Sequence, residues 1–237
     1  TCTVTVYAQN PAPILEKSFA RIREIDRLMS YTGAESEVAA VNRNAGGEGV
    51  TVSPSTLDVV QRGLHFSRLG NGSFDISIGP LVELWGIGKD SVGRVPGAEE
   101  IEQAVSSISY RGVHVQDGTV ALEAPGMAID LGGIAKGYAA DEIVRILEDG
   151  GVKHALINLG GNVYAHGKKP DGSLWRIGVQ NPESNRGSYL GVLTVADRAV
   201  VTSGPYERFF MEDGKRYHHI LDPVSYTHLT LPTKRIV

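Results

Sequence analysis

Four groups of side chains are of types that could do chemistry: Ser73–Phe74–Asp75, Asp130 with Gly132, Gly133 and Lys136, Thr202–Ser203–Gly204, and His218–His219 leading into Asp222–Pro223. The second group is the most informative. In MAIDLGGIAKGYAAD, Met127 to Asp141, an apolar stretch Met127–Leu131 reads as a strand carrying Asp130. It breaks at the glycine pair and passes at once into a helical pattern through Ile134, Ala135, Tyr138, Ala139, Ile143 and Leu147. A strand, a paired glycine and a helix start form an anion-binding geometry, because glycine lets the backbone approach a ligand and the first helical N–H groups have no partner in the helix. Lys136 falls in the first turn, where the macrodipole disfavours a cation, and a charge placed there suits a phosphate. The same residues also suit a tight βα turn with a solvated lysine, and the spacing matches neither GxGxxG nor GxxxxGK[ST]. Two histidines in tandem on a strand point to opposite faces, so at most one of His218 and His219 faces a site. With a reference pKa of about 6.5, histidine suits proton removal at neutral pH. No HExxH or other tight histidine spacing is present. A metal here would be a hard cation held by oxygen, and Mg²⁺ keeps few protein ligands beside substrate phosphates.

The elements that must position these groups follow from periodicity and punctuation. Thr3–Tyr7 is a β-favouring run ended by Asn10, Pro11 and Pro13. A helical stripe runs from Ile14 or Leu15 through Phe19 and Ile22 to Leu28 and Met29, and a shorter one through Val38 and Val41 to Asn42. Ser53 followed by Pro54 is an N-cap with proline at the first helical position, predicting a helix with Leu57, Val60, Leu64 and Phe66 on its buried face. Gly70–Gly88 has no clean period and reads as an apolar, glycine-rich connection, either packed inward by Phe74 and Trp85 or forming a pocket wall with Phe74 against a flat ring. A further helix is expected over Gly97–Ile108, with Ile101, Ala104, Val105 and Ile108 inward. Asp117–Gly118 between Val113, Val115 and Val120, Leu122 is a type I′ hairpin signal, and the dipeptide recurs at Asp171–Gly172 and Asp213–Gly214. After the central helix, which stops at Gly150 and Gly151, strands are expected at His154–Asn158, Asn162–Gly167, Trp175–Gln180, Leu190–Val195, Ala199–Thr202, Tyr206–Met211 and Arg216–Leu221. The fold class is therefore α+β, with early helices packed on a largely antiparallel sheet.

The 237 residues, 41% hydrophobic and 21% charged, suffice for one large domain or two small ones and exclude a disordered chain. A net charge of −4 without a basic run leaves no footprint for nucleic acid, and Lys168–Lys169 reads as a solvated loop. The single cysteine, Cys2, excludes an internal disulfide framework and a cysteine metal cluster. No apolar run is long enough for a transmembrane helix.

Taken in order, the clusters resemble the ApbE family of FAD:protein FMN transferases. The matching segments are SYTGAESEVAAVN, GSFDISIGPLVELWG, IDLGGIAKGYAAD, LINLGGNVYAHG, WRIGVQNP, VVTSGPYERFF and DGKRYHHILDP, spanning about Ser30 to Pro223. The resemblance implies a single domain with two lobes over residues 1–223. That domain would bind FAD and a divalent metal, usually Mg²⁺, and transfer FMN through a phosphoester to a threonine or serine hydroxyl of an acceptor protein, releasing AMP. Carried over by position, Ser73, Phe74 and Asp75 would contact FAD, Asp130 and Lys136 would hold its adenosine or phosphate portion, and Leu221 would add a backbone contact. Tyr31 would line the isoalloxazine pocket. Gly133 would offer its carbonyl to the metal. His219 would be the general base, since a hydroxyl attacks phosphorus poorly until its proton is taken. The residues named serve equally a metal-dependent FAD pyrophosphatase giving FMN and AMP, or a non-catalytic flavin-binding module. A dinucleotide oxidoreductase is disfavoured, because the GGIAK turn lacks the Rossmann spacing. By the same resemblance the setting is bacterial and periplasmic or at the cell envelope, sometimes lipid-anchored.

At both ends the chain departs from the family pattern. It starts at Thr1 in what reads as the middle of a strand, without an initiator methionine, so a preceding segment is expected to be missing. After HHILDP the family continues with a Thr-Gly-x-Pro turn, a strand and a helix start whose aspartates and threonine complete the metal site, whereas here the chain reads VSYTHLTLPTKRIV. Residues 224–237 therefore read as a tail foreign to the family, with the metal's carboxylate ligands absent. The expectation is that the intact protein is a transferase and that this chain, as it stands, is inactive or poorly folded.

Overall fold

A computed structural model describes residues 2–87, 93–182, 184, 187–205 and 208–225. Thr1, Gly88, Tyr206, Glu207 and residues 226–237 of the tail, on which some of these expectations fall, lie outside the described residues. In chain order the elements are β1 (Cys2–Val6), α1 (Ala12–Met29), α2 (Glu37–Arg43), β2 (Val50–Thr51), α3 (Pro54–Leu69), α4 (Gly79–Trp85) and α5 (Ala98–Ser106). There follow β3 (Val113–Gln116), β4 (Thr119–Leu122), α6 (Ala135–Asp149), β5 (Ala155–Leu159), β6 (Asn162–His166), β7 (Trp175–Gln180), β8 (Tyr189–Val195), β9 (Arg198–Val201), β10 (Phe209–Glu212) and β11 (Lys215–His218). They form two compact units, residues 1–27 with 134–203, and residues 28–133 with 204–237.

The first unit is built on an antiparallel sheet of order β1-β5-β6-β9, so the first strand pairs with one contributed far downstream, Val4 opposite Ile157. Ala155, Ile157, Leu159 and Ala165 are buried in it, and α6 packs on β5 and β6 with Tyr138, Ala139, Ala140, Ile143 and Leu147 inward. Each such Ile or Leu contributes about 1.5–3 kcal/mol by leaving water. Arg21 on α1 donates from Nε and Nη2 to the Glu142 carboxylate of α6, at 2.9 and 2.7 Å, and from Nη2 to the Tyr138 hydroxyl at 3.2 Å. β7 and β8 form a separate hairpin. Asp171–Gly172 does turn the chain, with Gly172 at φ +81°, but it joins β6 to β7, which do not pair. The hairpin expected there is absent because Asp171 takes Ser173 N–H and Oγ–H on its carboxylate, at 2.9 and 2.6 Å, and shapes a longer loop.

The second unit holds a three-stranded antiparallel sheet, β2-β4-β3, and the β10–β11 hairpin. Asp117–Gly118 and Asp213–Gly214 make the expected turns, both residues of each pair having positive φ. In α3, Ser53 Oγ accepts from Thr56 N–H, while Glu37 at the start of α2 takes Ser53 N–H at 2.9 Å and Ser53 Oγ–H at 2.8 Å. The buried face of α3 is rotated from the expected one: Val59, Val60, Gly63, Leu64 and Ser67 point inward, whereas Phe66 is 49% exposed. Gly63 sets this rotation, since a Cβ there would lie 2.6 Å from an Ile76 methyl carbon. Phe66→Ala should therefore change the unfolding free energy by less than about 1 kcal/mol in urea melts, the range of a surface substitution.

Two sequence expectations in this unit fail. Gly70–Gly88 is not wholly irregular, because Gly79–Trp85 forms α4, which packs on α5 and ends at Gly86 in the left-handed region, φ +59°. Its Leu81 and Trp85 are buried together with Leu221, and Tyr217 stacks on Trp85 at 5.6 Å. Nor is Met127–Leu131 a ladder strand. Its one bridge among the described residues is parallel, Ala128 to Ile78, and the Asn42 side chain, the Ile76 carbonyl and the Ala124 carbonyl take the N–H groups of Ile129, Asp130 and Met127.

Candidate active site

The segment ending in Asp130 is held by three sets of contacts within the second unit. Asn42, near the end of α2, uses its amide as a strand edge would: Oδ1 accepts from Ile129 N–H at 2.8 Å and Nδ2 donates to Ile129 O at 3.0 Å. Asp130 N–H donates to Ile76 O at 2.7 Å, and Gly79 N–H to Ala128 O at 3.2 Å. This fixes the backbone on which Asp130 stands. Its Oδ1 accepts from Gly132 N–H at 2.7 Å, so that glycine amide is already engaged and Asp130 orders the turn. Burial pushes the Asp130 carboxyl above its usual range, against the opposing pull of the Gly132 N–H and the Arg208 guanidinium. With the native pKa raised, ionised Asp130 weakens the fold as pH rises from the ordinary aspartate range through the native value. Asp130→Asn keeps the oxygen that accepts from Gly132. It should be at least as stable as the parent at pH 7, with the advantage shrinking toward pH 4 in urea melts across that range.

The loop before Ile76 meets the same turn. Phe74 is half-buried, and a Cβ on Gly133 would lie 2.9 Å from its Cε2, so only glycine admits the ring here. Asp75 is 7% exposed and accepts three internal hydrogen bonds: Ser77 N–H and Oγ–H on Oδ1, both at 2.7 Å, and Tyr110 N–H on Oδ2 at 3.1 Å. Its carboxylate thus orders the loop that presents exposed Ser73 and the Phe74 ring. The Tyr31 hydroxyl donates to Glu83 Oε2 at 3.1 Å. Burial, then the negative charges of Glu83 and Asp130, push this phenol far above its usual range, so it stays a neutral donor.

His218 and His219 part as a strand requires. His218 ends β11 buried, its Nδ1 accepting from Ile220 N–H at 3.3 Å, while His219 is partly exposed. His219 donates its backbone N–H to Arg208 O at 3.1 Å, and its Nδ1 lies 3.3 Å from the same carbonyl. A carbonyl only accepts, so Nδ1 carries the proton of the neutral ring and Nε2 the lone pair. Leu221 is buried with Leu81 and Trp85 in the core beside α4. Asp222 accepts Val224 N–H at 2.9 Å and Ser225 Oγ–H at 2.6 Å, and these bonds, Ser225 first, hold its carboxyl below the usual range.

In the first unit, α6 begins at Ala135 with no side-chain cap and no acid in its first turn, so its leading N–H groups have no side-chain acceptor. Lys136 is exposed on that turn and has no ion-pair partner among the described residues. Thr202 and Ser203 are exposed just past β9. Gly133, which belongs to the second unit, is exposed. Among the described residues no three His, Cys, Asp or Glu side chains gather as a metal site would require. None of the described helices is long and apolar enough to cross a membrane.

Arg208, Glu83 and Asn42 were not singled out from the sequence. The signal for Asn42, an amide in the last turn of a short helix, is legible only once its partner is known. Arg208 lies between aromatics in YERFF, where it reads as a strand residue.

The family model described as ApbE matches residues 1–229. The chain is 37% identical over 243 residues to a FAD:protein FMN transferase of Treponema pallidum, covering 94% of this chain and 67% of that one. A FAD:protein FMN transferase of Klebsiella pneumoniae is 40% identical over 222 residues, covering 93% and 68%. The chain thus spans about two thirds of the length of these relatives. Among solved structures, the ApbE protein of Thermotoga maritima superposes with a TM-score of 0.86 at 36% identity, covering 95% of this chain and 73% of that one. The flavin transferase ApbE of Vibrio cholerae superposes with a TM-score of 0.85 at 27% identity, covering 97% and 74%. With its glycine-hinged turn, its paired histidines and the match over residues 1–229, the chain belongs to the ApbE family.

Proposed function

We propose that this protein is an FAD:protein FMN transferase that moves FMN from FAD to a threonine or serine hydroxyl of an acceptor protein. The acceptor oxygen bonds to the FMN phosphorus, the bond from that phosphorus to the bridging pyrophosphate oxygen breaks, AMP leaves, and the hydroxyl proton goes to His219 Nε2. The observation that carries the reading is the partly exposed His219 ring, whose Nδ1 lies 3.3 Å from the Arg208 carbonyl. Ser73 and Phe74 would meet the FAD, with Asp75 fixing their loop, and Tyr31 would donate or stack at the flavin. Asp130, Lys136 and the first N–H groups of α6 would hold the adenosine and phosphate portion, with a backbone contact from Leu221. Such a transfer asks the protein for positioning and charge neutralisation rather than for a nucleophile.

Magnesium belongs to the proposal, brought with the substrate phosphates as is usual for this ion. The described residues supply only the Gly133 carbonyl of the expected donor set, which does not make a metal site by itself, so no step is assigned to the ion. The setting proposed is the bacterial cell envelope. Incubation of the full-length protein with FAD, Mg²⁺ and a candidate acceptor tests the reading. Flavin fluorescence on the acceptor band in a denaturing gel supports it, while free FMN without labelling indicates hydrolysis instead.

A further inference from the structure

A cavity of about 650 Å³ in the second unit lies apart from the residues assigned above, between α3 and the outer edge of β3. From α3 it is lined by Gln61, Leu64 and Arg68, which share one helix face at i, i+3 and i+7. From the other side every residue of β3 lines it, together with Tyr110 and Arg111 just before it. Successive strand side chains point to opposite faces, so a cavity lined by four in a row runs along the strand's edge.

That edge has hydrogen-bonding groups to offer. Among the described residues β3 is terminal in its sheet and pairs only with β4. The two-residue Asp117–Gly118 turn makes Gln116 and Thr119 the first hydrogen-bonded pair, so Gln116, His114 and Gly112 turn their N–H and C=O groups toward β4. The Glu123 N–H to Gly112 O bond of 2.9 Å fits this register. Val113 and Val115 therefore turn theirs outward. The Val113 N–H is taken by Tyr110 O, which leaves the Val115 N–H, the Val115 C=O and the Val113 C=O facing the cavity. The walls are basic as well. Neither Arg68 nor Arg111 has a carboxylate partner among the described residues, and the Arg111 guanidinium lies 4.9 Å from the Tyr110 ring centroid, which holds it in place.

We propose that this groove docks an extended, acidic segment of a partner protein, which adds as a strand beside β3 while its carboxylates meet Arg68 and Arg111. Strand addition to a free edge draws affinity from main-chain bonds and specificity from alternate side chains, and the two arginines select acidic ones. Resting on the transferase reading, the partner is the flavin acceptor, held by a surface remote from its reacting hydroxyl. Tyr110 lines the groove and also donates to Asp75, so an occupant would sit against the anchor of the Ser73–Asp75 loop.

The test uses fluorescein-labelled ten-residue peptides alternating Glu with Val, or Lys with Val, followed by anisotropy at low salt without FAD. The Glu peptide should bind at least tenfold more tightly than the Lys peptide, and Arg68→Glu with Arg111→Glu should reverse the preference. Val115→Pro should weaken the Glu peptide at least threefold, since it deletes an N–H that β4 does not use. Equal binding of the two peptides, or no binding of either, overturns the proposal. Binding insensitive to Val115→Pro, or competed away by millimolar inorganic phosphate, overturns strand addition and leaves a small-anion site. Because no FAD is present, failure here is distinct from failure of the transferase reading, which calorimetry of FAD binding tests separately.

Discussion

Replacing His219 by alanine lowers flavin transfer by about 10²- to 10⁴-fold, the usual contribution of a positioned general base, while the affinity for FAD stays within about twofold. The two effects separate because the imidazole is assigned to the acceptor's proton and not to the flavin. Nδ1 lies 3.3 Å from the Arg208 carbonyl, and the acceptor's proton is assigned to Nε2. Single-turnover labelling of an acceptor, read as in-gel fluorescence, gives the rate, and calorimetry gives the affinity. An unchanged rate removes His219 from the mechanism. His218→Ala should behave differently, since His218 is buried at the end of β11 and its loss should show first in the unfolding midpoint. A rate loss confined to that neighbour would mean the wrong histidine had been assigned to the proton.

The pattern of what could be read in advance follows from the range of the interactions. Asp117–Gly118 and Asp213–Gly214 were legible because a type I′ turn is decided by the φ preferences of two adjacent residues. The face of α6 was legible because fifteen residues sustain its period. The α+β class followed from the same local signals. Residues 127–131 were misread as a ladder strand since an apolar run is equally consistent with a segment whose backbone is satisfied by one asparagine and one carbonyl. Nothing local to Ile129 announces Asn42, 87 positions away. The α4 helix, at seven residues, is too short to show a period against the apolar loop around it. Phe66 looks inward by hydrophobicity, yet the close approach of Ile76 to Gly63 sets the rotation of α3, a fact of packing. At the candidate site, sequence likeness pointed to Asp130, Lys136 and His219. It did not show that Asp75 and Asp130 spend oxygens on their own loops, nor that Arg208 touches both the field at Asp130 and the tautomer of His219.

Asn42→Ala is expected to cost about 3 kcal/mol of stability. Ile129 is fully buried, and removing the amide strands both its N–H and its C=O, each costing about 1–3 kcal/mol when left unpaired, less what an entering water restores. The loss should be local as well as global. The Ile129–Asp130 backbone would keep the Asp130 N–H to Ile76 O bond, with Gly79 N–H to Ala128 O beside it, so amide exchange there should quicken while β5 in the other unit is little affected. FAD binding should weaken in parallel, because Asp130 and the Gly132–Gly133 turn stand on this segment and Phe74 packs against Gly133. Urea melts and hydrogen exchange measure the first two effects, and calorimetry the third. An unfolding midpoint equal to the parent's would show that water already serves Ile129 as well as the amide does. A destabilised variant with unaltered FAD affinity would instead detach Asp130 from the ligand while leaving the packing argument intact.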